Sequence, residues 1–369
     1  MVGSAKPLFF NRGFFITTNR TMETDLRKEA RSMHLSYVSD RQPGYTREVN
    51  GNSFVIYDAL GKIVTDEDEL NRIKALAIPP AWINVWICPK TTGHLQATGY
   101  DTAGRKQYKY HAKWSQNRNE RKHNRMAEFA EALPLIRERI DNDLRGDEFT
   151  KEKVLALALS VLDKTHIRVG NETYTRLYGS FGLTSLRNRH IKIMGNKMII
   201  TFKGKKGVLQ EVKLTHARLA RMLKKLKDLP GQELFQYYDK EGCLRSIDSD
   251  SVNEYLYSIT NKDFTAKDFR TWWGTVTALS EFANLASSDN VLHTKEVIIT
   301  VLDTVAKQLG NTRAVCKKYY VHPTLLAYYE EGKLDKYINR LHKGNQGIEA
   351  GYLNSEEILI KEFIANECN

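Results

Sequence analysis

Residues 195–214, GNKMIITFKGKKGVLQEVKL, limit how this chain can fold more than any other stretch. Two segments rich in β-branched and apolar residues flank a GKKG sequence, which predicts a β-hairpin with strands at 197–203 and 208–214. Around it, from Trp114 onward, apolar residues recur mostly at helical spacing. The sequence therefore predicts a mainly helical region that one hairpin interrupts.

The helices of this region are predicted from apolar periodicity and from capping residues. One of them, THARLARMLKKLKDL, should begin at Thr215 or His216 and end before Pro230. The other helical segments are EFAEALPLIRERIDNDL, KEKVLALALSVLDKT, SDSVNEYLYSIT, KDFRTWWGTVTALSEFANLA, KEVIITVLDTVAKQLG and TLLAYYEEGKLDKYINRLH.

The N-terminal part of the chain has a different pattern. GNSFVIYDALGKIV predicts a strand, a turn and a second strand, and WINVWICP, GHLQATGYD and RKQYKYH predict three more. Between them, TDEDELNRIKALAI predicts a helix capped by Thr65, whose acidic 66–69 run favours helix capping over a magnesium site. With 369 residues, about two domains are expected. We expect an α+β protein with a β-rich domain at 1–115, poorly defined over 1–50, and a mainly helical domain at 116–369.

Positive charge is concentrated in two stretches. The chain has a net charge of +12, and residues 187–227 alone hold thirteen Lys or Arg against Glu211. Residues 105–125 hold eight Lys or Arg against Glu120, with aromatic residues among them. Such concentration favours a nucleic-acid partner, although a solvated basic surface or an anionic-membrane patch would share it.

Several classes of protein are disfavoured. No run of about eighteen apolar residues predicts a membrane span, and PLFFNRGFFITT is too short and too interrupted for a signal peptide. The four cysteines form no pair at metal or disulfide spacing, which favours a cytoplasmic protein. The sequence has no phosphate-binding GxxxxGK[ST] loop, no HExxH and no GxSxG. We therefore expect no nucleotide, metal or other cofactor.

Arginine, lysine and tyrosine remain as candidates for catalysis. Together they can transfer a phosphodiester: two guanidiniums clamp the phosphate oxygens, a lysine protonates the departing alkoxide and a tyrosine is the nucleophile. The adjacent Tyr319 and Tyr320 would point about 100° apart on a helix, so both cannot face one phosphate equally. Periodicity alone does not choose between them.

Four motifs in this order resemble the type IB DNA topoisomerases, and most closely the bacterial branch of the compact, poxvirus-like enzymes. They are RVGNE (168–172), FKGK (202–205), AKDFRTW (266–272) and LGNTRAVCKKYYVHP (309–323). The resemblance extends to GSFGLTSLRNRHI and, nearer the N-terminus, to IPPAW, GHLQATGYD and GRKQYKYH, and so covers roughly residues 75–325. It implies a β-rich cap and a helical catalytic domain that clamp double-stranded DNA.

The resemblance also implies a role for each catalytic residue. Tyr320, nine residues after Asn311, would be the nucleophile, with Tyr319 in a packing role. Arg168 and Arg270 would clamp the phosphate, and Lys205 would be the general acid, with Lys206 as its rival. Two positions depart from poxviral and nuclear relatives, in which Asp commonly follows the lysine and His replaces Asn311. An amide donates a hydrogen bond but no positive charge, and a helix-capping function for Asn311 is the alternative.

The DNA contacts are implied in the same way. Gln107, Tyr108 and Tyr110 match a segment that contacts the major groove, and Arg105 and Lys106 are expected to bind phosphates. On a regular strand Tyr108 and Tyr110 share one face and Gln107 the other, so a common DNA-facing set requires a strand edge or an irregular backbone.

In the catalytic domain, Tyr174 and Lys206 complete the expected DNA contacts. The resemblance therefore implies a monomeric type IB enzyme, cytoplasmic and nucleoid-associated, that relaxes supercoils of both signs without ATP. A tyrosine recombinase is less favoured, since KDFR replaces the usual HxxR and the N-terminal part is strand-rich. A DNA-binding relative without catalysis is the other alternative.

Overall fold

The computed structural model describes residues 24–50, 53–146, 148–287, 293–343 and 351–368. Their contacts separate the chain into two compact units that divide between Arg121 and Lys122. PLFFNRGFFITT, which is not expected to be a signal peptide, lies outside the described residues. None of the described helices combines the length and apolar character needed to cross a membrane.

The first unit contains a five-stranded antiparallel sheet with the strand order β2-β1-β3-β4-β5. Its elements are α1 (residues 24–32), β1 (Tyr45–Asn50), β2 (Ser53–Tyr57), α2 (Glu67–Ala75), β3 (Ile83–Ile87), β4 (Leu95–Tyr100) and β5 (Lys106–Tyr110). Ile73 of α2 packs with Ile56, Val85, Ile87 and Ala97 of the sheet. The strands predicted around β3, β4 and β5 are confirmed.

Strand β1 was missed because an arginine takes an inward position where an apolar residue would normally signal a strand. Arg47 is partly buried, and its guanidinium donates to the carbonyls of Ile78, Pro79 and Trp82 at 3.1, 2.9 and 2.8 Å. These acceptors belong to IPPAW, so this motif satisfies a half-buried cation of the sheet.

The second strand predicted after the DALG turn is wrong. Only one isolated bridge forms there, between Tyr57 and Ile63. The Asp58 side chain accepts from the backbone N–H groups of Leu60 and Lys62, both at 2.8 Å, and folds the segment into a turn. Because α2 begins at Glu67, little chain is left for a strand.

The start of α2 lies one residue later than predicted. Asp66, not Thr65, is the N-cap, and its carboxylate accepts from the N–H of Glu69 at 2.8 Å. Glu69 in turn pairs with Arg72 at 2.6 Å. The acidic run therefore caps and braces the helix, and no group of three or more His, Cys, Asp or Glu among the described residues has metal-site geometry.

The second unit is mainly helical, and its helices agree closely with the predicted segments. They are α3 (Ala112–Asp143, which begins in the first unit), α4 (Lys151–Thr165), α5 (Glu172–Tyr178), α6 (Ala217–Lys227), α7 (Ser249–Thr260), α8 (Ala266–Ala286), α9 (Thr294–Leu309), α10 (Arg313–Tyr319), α11 (Pro323–Glu330), α12 (Asp335–His342) and α13 (Ser355–Glu367). His216 caps α6, as one of the two predicted starts. The α+β class, with a β-containing first part and a helical second part, is confirmed.

The predicted hairpin is confirmed as two strands of a three-stranded sheet in the order β6-β7-β8. The strands are β6 (Ile191–Met194), β7 (Lys197–Lys203) and β8 (Leu209–Thr215), and a second small hairpin joins β9 (Gln236–Tyr238) to β10 (Leu244–Ser246). Met198, Ile200 and Phe202 alternate inward along β7. The tip at Lys205–Gly207 forms a single 3₁₀ turn.

Helix α8 is central in the core of this unit, and α13 is anchored to it. Trp272 is fully buried, and its Nε1 donates to the Glu357 carboxylate of α13 at 3.1 Å. Arg137 binds the same carboxylate through two hydrogen bonds of 2.8 Å and reaches Asp163 at 2.8 Å. The segment after residue 345, which had no predicted function, thus includes a helix that packs against the core.

Candidate active site

The RVGNE segment leaves α4 as an extended loop and is held by the segment GSFGLTS. The carbonyl of Arg168 accepts from the N–H of Leu183 at 2.8 Å, and that of Val169 accepts from Thr184 at 2.8 Å. A Cβ at Gly182 would lie 2.5 Å from the Gly170 Cα and 2.7 Å from the Arg168 carbonyl oxygen. The two motifs therefore require glycines because their backbones touch, and this contact fixes the base of Arg168.

The Arg168 side chain reaches the loop between α9 and α10. Its Nη2 donates to the carbonyl of Gly310 at 2.9 Å and to Oδ1 of Asn311 at 2.6 Å. Because the amide oxygen accepts from Arg168, the amide nitrogen points to the other side, where its only hydrogen bond among the described residues is a long 3.4 Å contact with Leu309 O. Arg168 therefore orients Asn311 as a donor.

The helix ends beside Asn311 have their own caps. Gly310 is the C-cap of α9, and Thr312 is the N-cap of α10 through a bond from the N–H of Val315. Neither helix end therefore requires the Asn311 side chain as its cap, which was the alternative function predicted for this residue. This observation favours a functional role for its side chain.

Arg270 lies one turn into α8 and is almost completely buried, with 4% of its surface exposed. Its Nη1 donates to the carbonyl of His166, and its Nη2 donates to that of Leu309 at 2.7 Å. Its Nε is buried and makes no hydrogen bond within the described part of the chain. A buried donor left in this state is costly, so the geometry favours a ligand that accepts a hydrogen bond.

Positive charge at this site is not compensated. Among the described residues, no carboxylate lies within ion-pair distance of Arg168 or Arg270, whose acceptors are backbone carbonyls and one amide. Burial lowers the pKa of both guanidiniums, and Arg270 lowers that of Arg168 further through charge repulsion. Arginine nevertheless stays protonated in proteins, so the pair carries positive charge in a geometry suited to bind an anion.

Tyr320 lies beside Arg270. Helix α10 ends at Tyr319, so Tyr320 follows it as the C-cap and not as part of a regular helix, contrary to the assumption behind the 100° estimate. The Arg270 Cζ lies 5.4 Å from the centroid of the Tyr320 ring, which packs partly buried against the core. Tyr319 is 37% exposed, and the Lys318 ammonium lies 5.3 Å from its ring centroid.

The hairpin that carries Lys205 and Lys206 is fastened beside the same loops. Lys203 accepts at its carbonyl from the N–H of Phe181 at 2.7 Å. A Cβ at Gly310 would lie 2.5 Å from Oε1 of Gln210, which places β8 against the Asn311 loop. Lys206 has a φ of 62°, in the left-handed region that Asp and Asn enter more readily than lysine. Both lysines stay candidates for the proton donor.

Tyr174 lies on the short helix α5, a few residues after Arg168. Half of its surface is exposed, and its ring contacts that of Tyr178 at 5.6 Å between centroids. Asn171 caps this helix through a hydrogen bond from Thr173. Tyr174 is therefore accessible, and its contact with a DNA phosphate stays a prediction.

Comparisons with known proteins agree on one family. Residues 111–345 match the family described as "Eukaryotic DNA topoisomerase I, catalytic core", and residues 53–101 match "Bacterial DNA topoisomerase IB, N-terminal domain". The chain is 32% identical to the DNA topoisomerase 1B of Acanthamoeba polyphaga mimivirus, over 78% of this chain and 88% of the viral protein. This chain belongs to the type IB DNA topoisomerase family.

Two further similarities are more distant. DNA topoisomerase 1B of vaccinia virus (strain Copenhagen) is 26% identical over 72% of this topoisomerase and 87% of the viral protein. Among solved structures, the post-cleavage complex of the XerH site-specific recombinase with palindromic difH substrate has a TM-score of 0.36 and 15% identity, over 56% of this chain and 51% of that chain. The second similarity is too low to support a functional comparison.

In the first unit of this topoisomerase, β5 is the edge strand of its sheet, one of the two arrangements that a DNA-facing set with both Gln107 and Tyr108 requires. Tyr108 and Tyr110 are exposed on one face with stacked rings, 6.0 Å between centroids. On or beside this strand the polar side chains are paired: Arg105 and Gln107 both donate to Asp101, at 2.8 and 2.9 Å, and Lys106 pairs with Asp40.

The sequence alone missed the groups of this topoisomerase that hold the side chains of Arg168 and Arg270. They are the carbonyls of His166, Leu309 and Gly310, which accept from the two arginines. A backbone carbonyl has no residue-type signature, so no sequence pattern identifies it. Thr275, whose hydroxyl contacts the backbone around Tyr320, was missed for a different reason, because a threonine inside a helix carries no special signal.

Proposed function

We propose that this type IB topoisomerase relaxes positively and negatively supercoiled double-stranded DNA by transient cleavage of one strand, with Tyr320 as the nucleophile. Tyr320 Oη loses its proton to solvent and forms a bond to the scissile phosphorus, and the bond from phosphorus to the 5′ oxygen breaks as that oxygen takes up a proton. The products are a 3′-phosphotyrosyl link and a free 5′-hydroxyl end. The DNA beyond the break rotates, and the 5′ oxygen then attacks the same phosphorus and releases Tyr320.

The single observation that carries this proposal is the Arg168–Arg270 pair next to Tyr320. A phosphodiester under attack gains negative charge on its equatorial oxygens, and preorganised donors stabilise that charge most effectively in a site shielded from water. The buried Nε of Arg270, which lacks an acceptor within the described chain, supports a phosphate oxygen as its missing partner. The guanidiniums need little reorganisation, because backbone carbonyls already hold them.

The remaining residues complete the chemistry in this proposal. The Asn311 amide nitrogen donates to a further phosphate oxygen, since Arg168 occupies the amide oxygen. Lys205 protonates the departing 5′ oxygen, with Lys206 as its alternative. Because the phosphotyrosyl link conserves the energy of the phosphodiester, resealing needs no ATP. Each donor of this kind typically contributes about 3–4 kcal/mol to the transition state.

The domain roles and the setting form a further part of the proposal. Residues 1–115 act as a DNA-binding cap, in which Arg105, Lys106, Gln107, Tyr108 and Tyr110 contact the duplex. Residues 116–369 carry the catalytic site, with Tyr174 and Lys206 as additional DNA contacts. The enzyme works as a monomer in the cytoplasm, associated with the nucleoid, and uses no nucleotide or metal.

The test is relaxation of supercoiled plasmid in EDTA without ATP, with the wild type beside Tyr320→Phe and Tyr319→Phe. We expect relaxation by the wild type and by Tyr319→Phe but not by Tyr320→Phe. Plasmids of both supercoil signs separate the two activities. A wild type that binds the plasmid and leaves it supercoiled contradicts the proposal.

A further inference from the structure

Two backbone groups just beyond the C-terminal end of α10 are held by a contact that the catalytic roles do not explain. Tyr320 lies just beyond the helix, with φ −126° and ψ −25°. Its N–H still bonds to the carbonyl of Cys316 at 3.0 Å. Its carbonyl, and the N–H of His322 two residues later, lie beyond the end of α10, so α10 does not fix them in place.

Helix α8 supplies the missing partners through Thr275, which is fully buried. The N–H of His322 donates to Oγ1 of Thr275 at 3.1 Å, and the hydroxyl lies 3.3 Å from the carbonyl oxygen of Tyr320. One side chain thus bridges the two backbone groups that flank Val321. A hydroxyl can accept one bond and donate another. This one accepts from His322, and its proton has two carbonyls within reach, that of Tyr320 at 3.3 Å and that of Thr271 in α8 at 3.4 Å.

The residue before Thr275 sets how closely the two segments approach. A Cβ at Gly274 would lie 2.5 Å from the carbonyl oxygen of Tyr320 and 2.9 Å from its Cβ. Both contacts are with atoms at or near the backbone, so a larger residue would push the Tyr320 segment away from α8. Gly274 therefore acts as a close-packed seat for the tyrosine backbone.

Arg270 and this seat occupy the same face of α8. Gly274 follows Arg270 by four residues, which is about one helical turn. The helix therefore fixes the distance between the Arg270 guanidinium and the backbone of Tyr320. From this geometry we infer that Gly274 and Thr275 are positioning residues, which set where the Tyr320 hydroxyl lies relative to the phosphate that Arg270 binds.

This inference rests on the proposed function and makes a specific kinetic statement. Neither Gly274 nor Thr275 is among the proposed DNA contacts, so a substitution at either position should leave DNA binding intact and displace the attacking oxygen. A displacement of about 1 Å from a productive geometry can lower a rate about 100-fold. Tyr320 Oη is the attacking oxygen in cleavage and the leaving oxygen in religation. Cleavage and religation should therefore slow by similar factors.

Single-turnover cleavage of a labelled duplex at saturating enzyme tests the inference. Thr275→Val keeps the shape and removes the hydroxyl, and we expect cleavage about tenfold to a hundredfold slower with unchanged noncovalent affinity. Thr275→Ser restores the hydroxyl and should remain within about threefold of the wild type. Gly274→Ala should be slowed about a hundredfold or more.

The matched control is Thr271→Val, one turn earlier on α8. Thr271 is equally buried, but its hydroxyl contacts only the Lys267 carbonyl of its own helix among the described residues. This variant should cleave at the wild-type rate. Affinity is measured in the Tyr320→Phe background, and thermal unfolding is followed for every variant.

The outcomes separate this inference from the proposed function. Slow cleavage and religation by Thr275→Val, with normal affinity and rescue by serine, support a positioning role. Wild-type rates in Thr275→Val and Gly274→Ala overturn it while the function stands. An equal loss in Thr271→Val, or a loss that follows the melting temperature, assigns these residues to stability alone. A wild type that forms no covalent adduct overturns the proposed function.

Discussion

The Arg168–Arg270 pair of the second unit and the cations at β5 of the first unit have opposite kinds of hydrogen-bond partner. In the second unit, Arg270 is buried and Arg168 half-buried, and both are bonded to neutral acceptors, so their charge stays uncompensated. In the first unit, Arg105 and Lys106 at β5 are paired with Asp101 and Asp40 near the surface. Burial alone would raise the pKa of Asp40, but Lys106 and Thr98 lower it, as expected for an ionised partner.

This difference suits the two sites to different tasks. The arginine pair is suited to stabilise an anion, and the cations at β5 are suited to exchange a carboxylate partner for a phosphate. A charge held by neutral dipoles in a shielded site is ready to stabilise an anion without rearrangement. A cation that already has a carboxylate partner must give up that contact before it binds a phosphate, which reduces the net gain. The buried site should therefore dominate the rate, and the β5 region should tune affinity.

The largest effect is expected from Arg270→Ala. On the proposed mechanism Arg270 contacts the transferring phosphate, so loss of its guanidinium should lower single-turnover cleavage by about 10²–10³-fold, with little change in affinity. Arg313→Ala is the matched control, because Arg313 is an exposed arginine paired with Asp303 at 2.6 Å. Retention of cleavage within tenfold in Arg270→Ala would remove the basis for the comparison.

A carboxylate placed beside Arg168 should give the buried site the arrangement found at β5, where the cations have carboxylate partners. Asn311→Asp would give Arg168 an anionic partner at the position where Oδ1 already accepts at 2.6 Å. We expect cleavage to fall further than in Asn311→Ala, because the variant both neutralises the clamp and repels the phosphate. Cleavage rates of the two variants at equal saturation decide this, and a faster Asp variant would contradict it.

A buried histidine beside the Tyr320 segment should make the free energy of unfolding depend on pH. Burial lowers the pKa of His322, next to the tyrosine segment, to about 4, and its Nδ1 accepts from the N–H of Thr324. The unfolded state therefore binds more protons between about pH 6.5 and 4, so the free energy of unfolding falls as the pH drops through this window. The full contribution is of order 3 kcal/mol.

Denaturant unfolding at several pH values measures this contribution. His322→Asn keeps a capping acceptor without a titrating ring, and it should flatten the profile between pH 6.5 and 4. His166, whose pKa is also lowered to about 4 by burial, adds to the same window, so some slope should remain. An unchanged profile in His322→Asn would show that this ring is already protonated or exposed.

The smallest effect is expected at β5. Asp40→Asn releases Lys106 and should tighten DNA binding a few-fold at low salt, because an exposed ion pair contributes only about 0.2–1 kcal/mol. The salt dependence of affinity should steepen by about one phosphate contact. Glu362→Gln, which frees Arg340 by the same change of charge, is the control. Weaker binding by Asp40→Asn would argue that this carboxylate orients Lys106 for DNA.

The elements of the fold could be predicted where local pattern and packing agree. The hairpin, α4 and α8 follow from alternation, helical spacing and glycine positions, and their predicted bounds were nearly correct. Strand β1 was not predictable, because Arg47 takes an inward position that distant carbonyls satisfy. The DALG strand was overpredicted, because the Asp58 side chain competes locally for backbone N–H groups.

The candidate site could be predicted only through resemblance to a family. Arg168 and Arg270 are about a hundred residues apart in sequence, and each alone is indistinguishable from a surface arginine. Their acceptors are backbone carbonyls, and the seat for Tyr320 is a glycine and a threonine inside a helix. Such groups acquire their function from tertiary contacts, so local sequence does not reveal them.

The central claim is that Tyr320 attacks a phosphate bound by Arg168 and Arg270. The most direct measurement traps the covalent adduct on a duplex whose cleaved end is lost, digests the protein and identifies the modified residue by mass spectrometry. The account predicts one adduct, on Tyr320, linked to the 3′ phosphate. An adduct on Tyr319 or a 5′ linkage would contradict it, as would the absence of any adduct under conditions in which the wild type binds DNA.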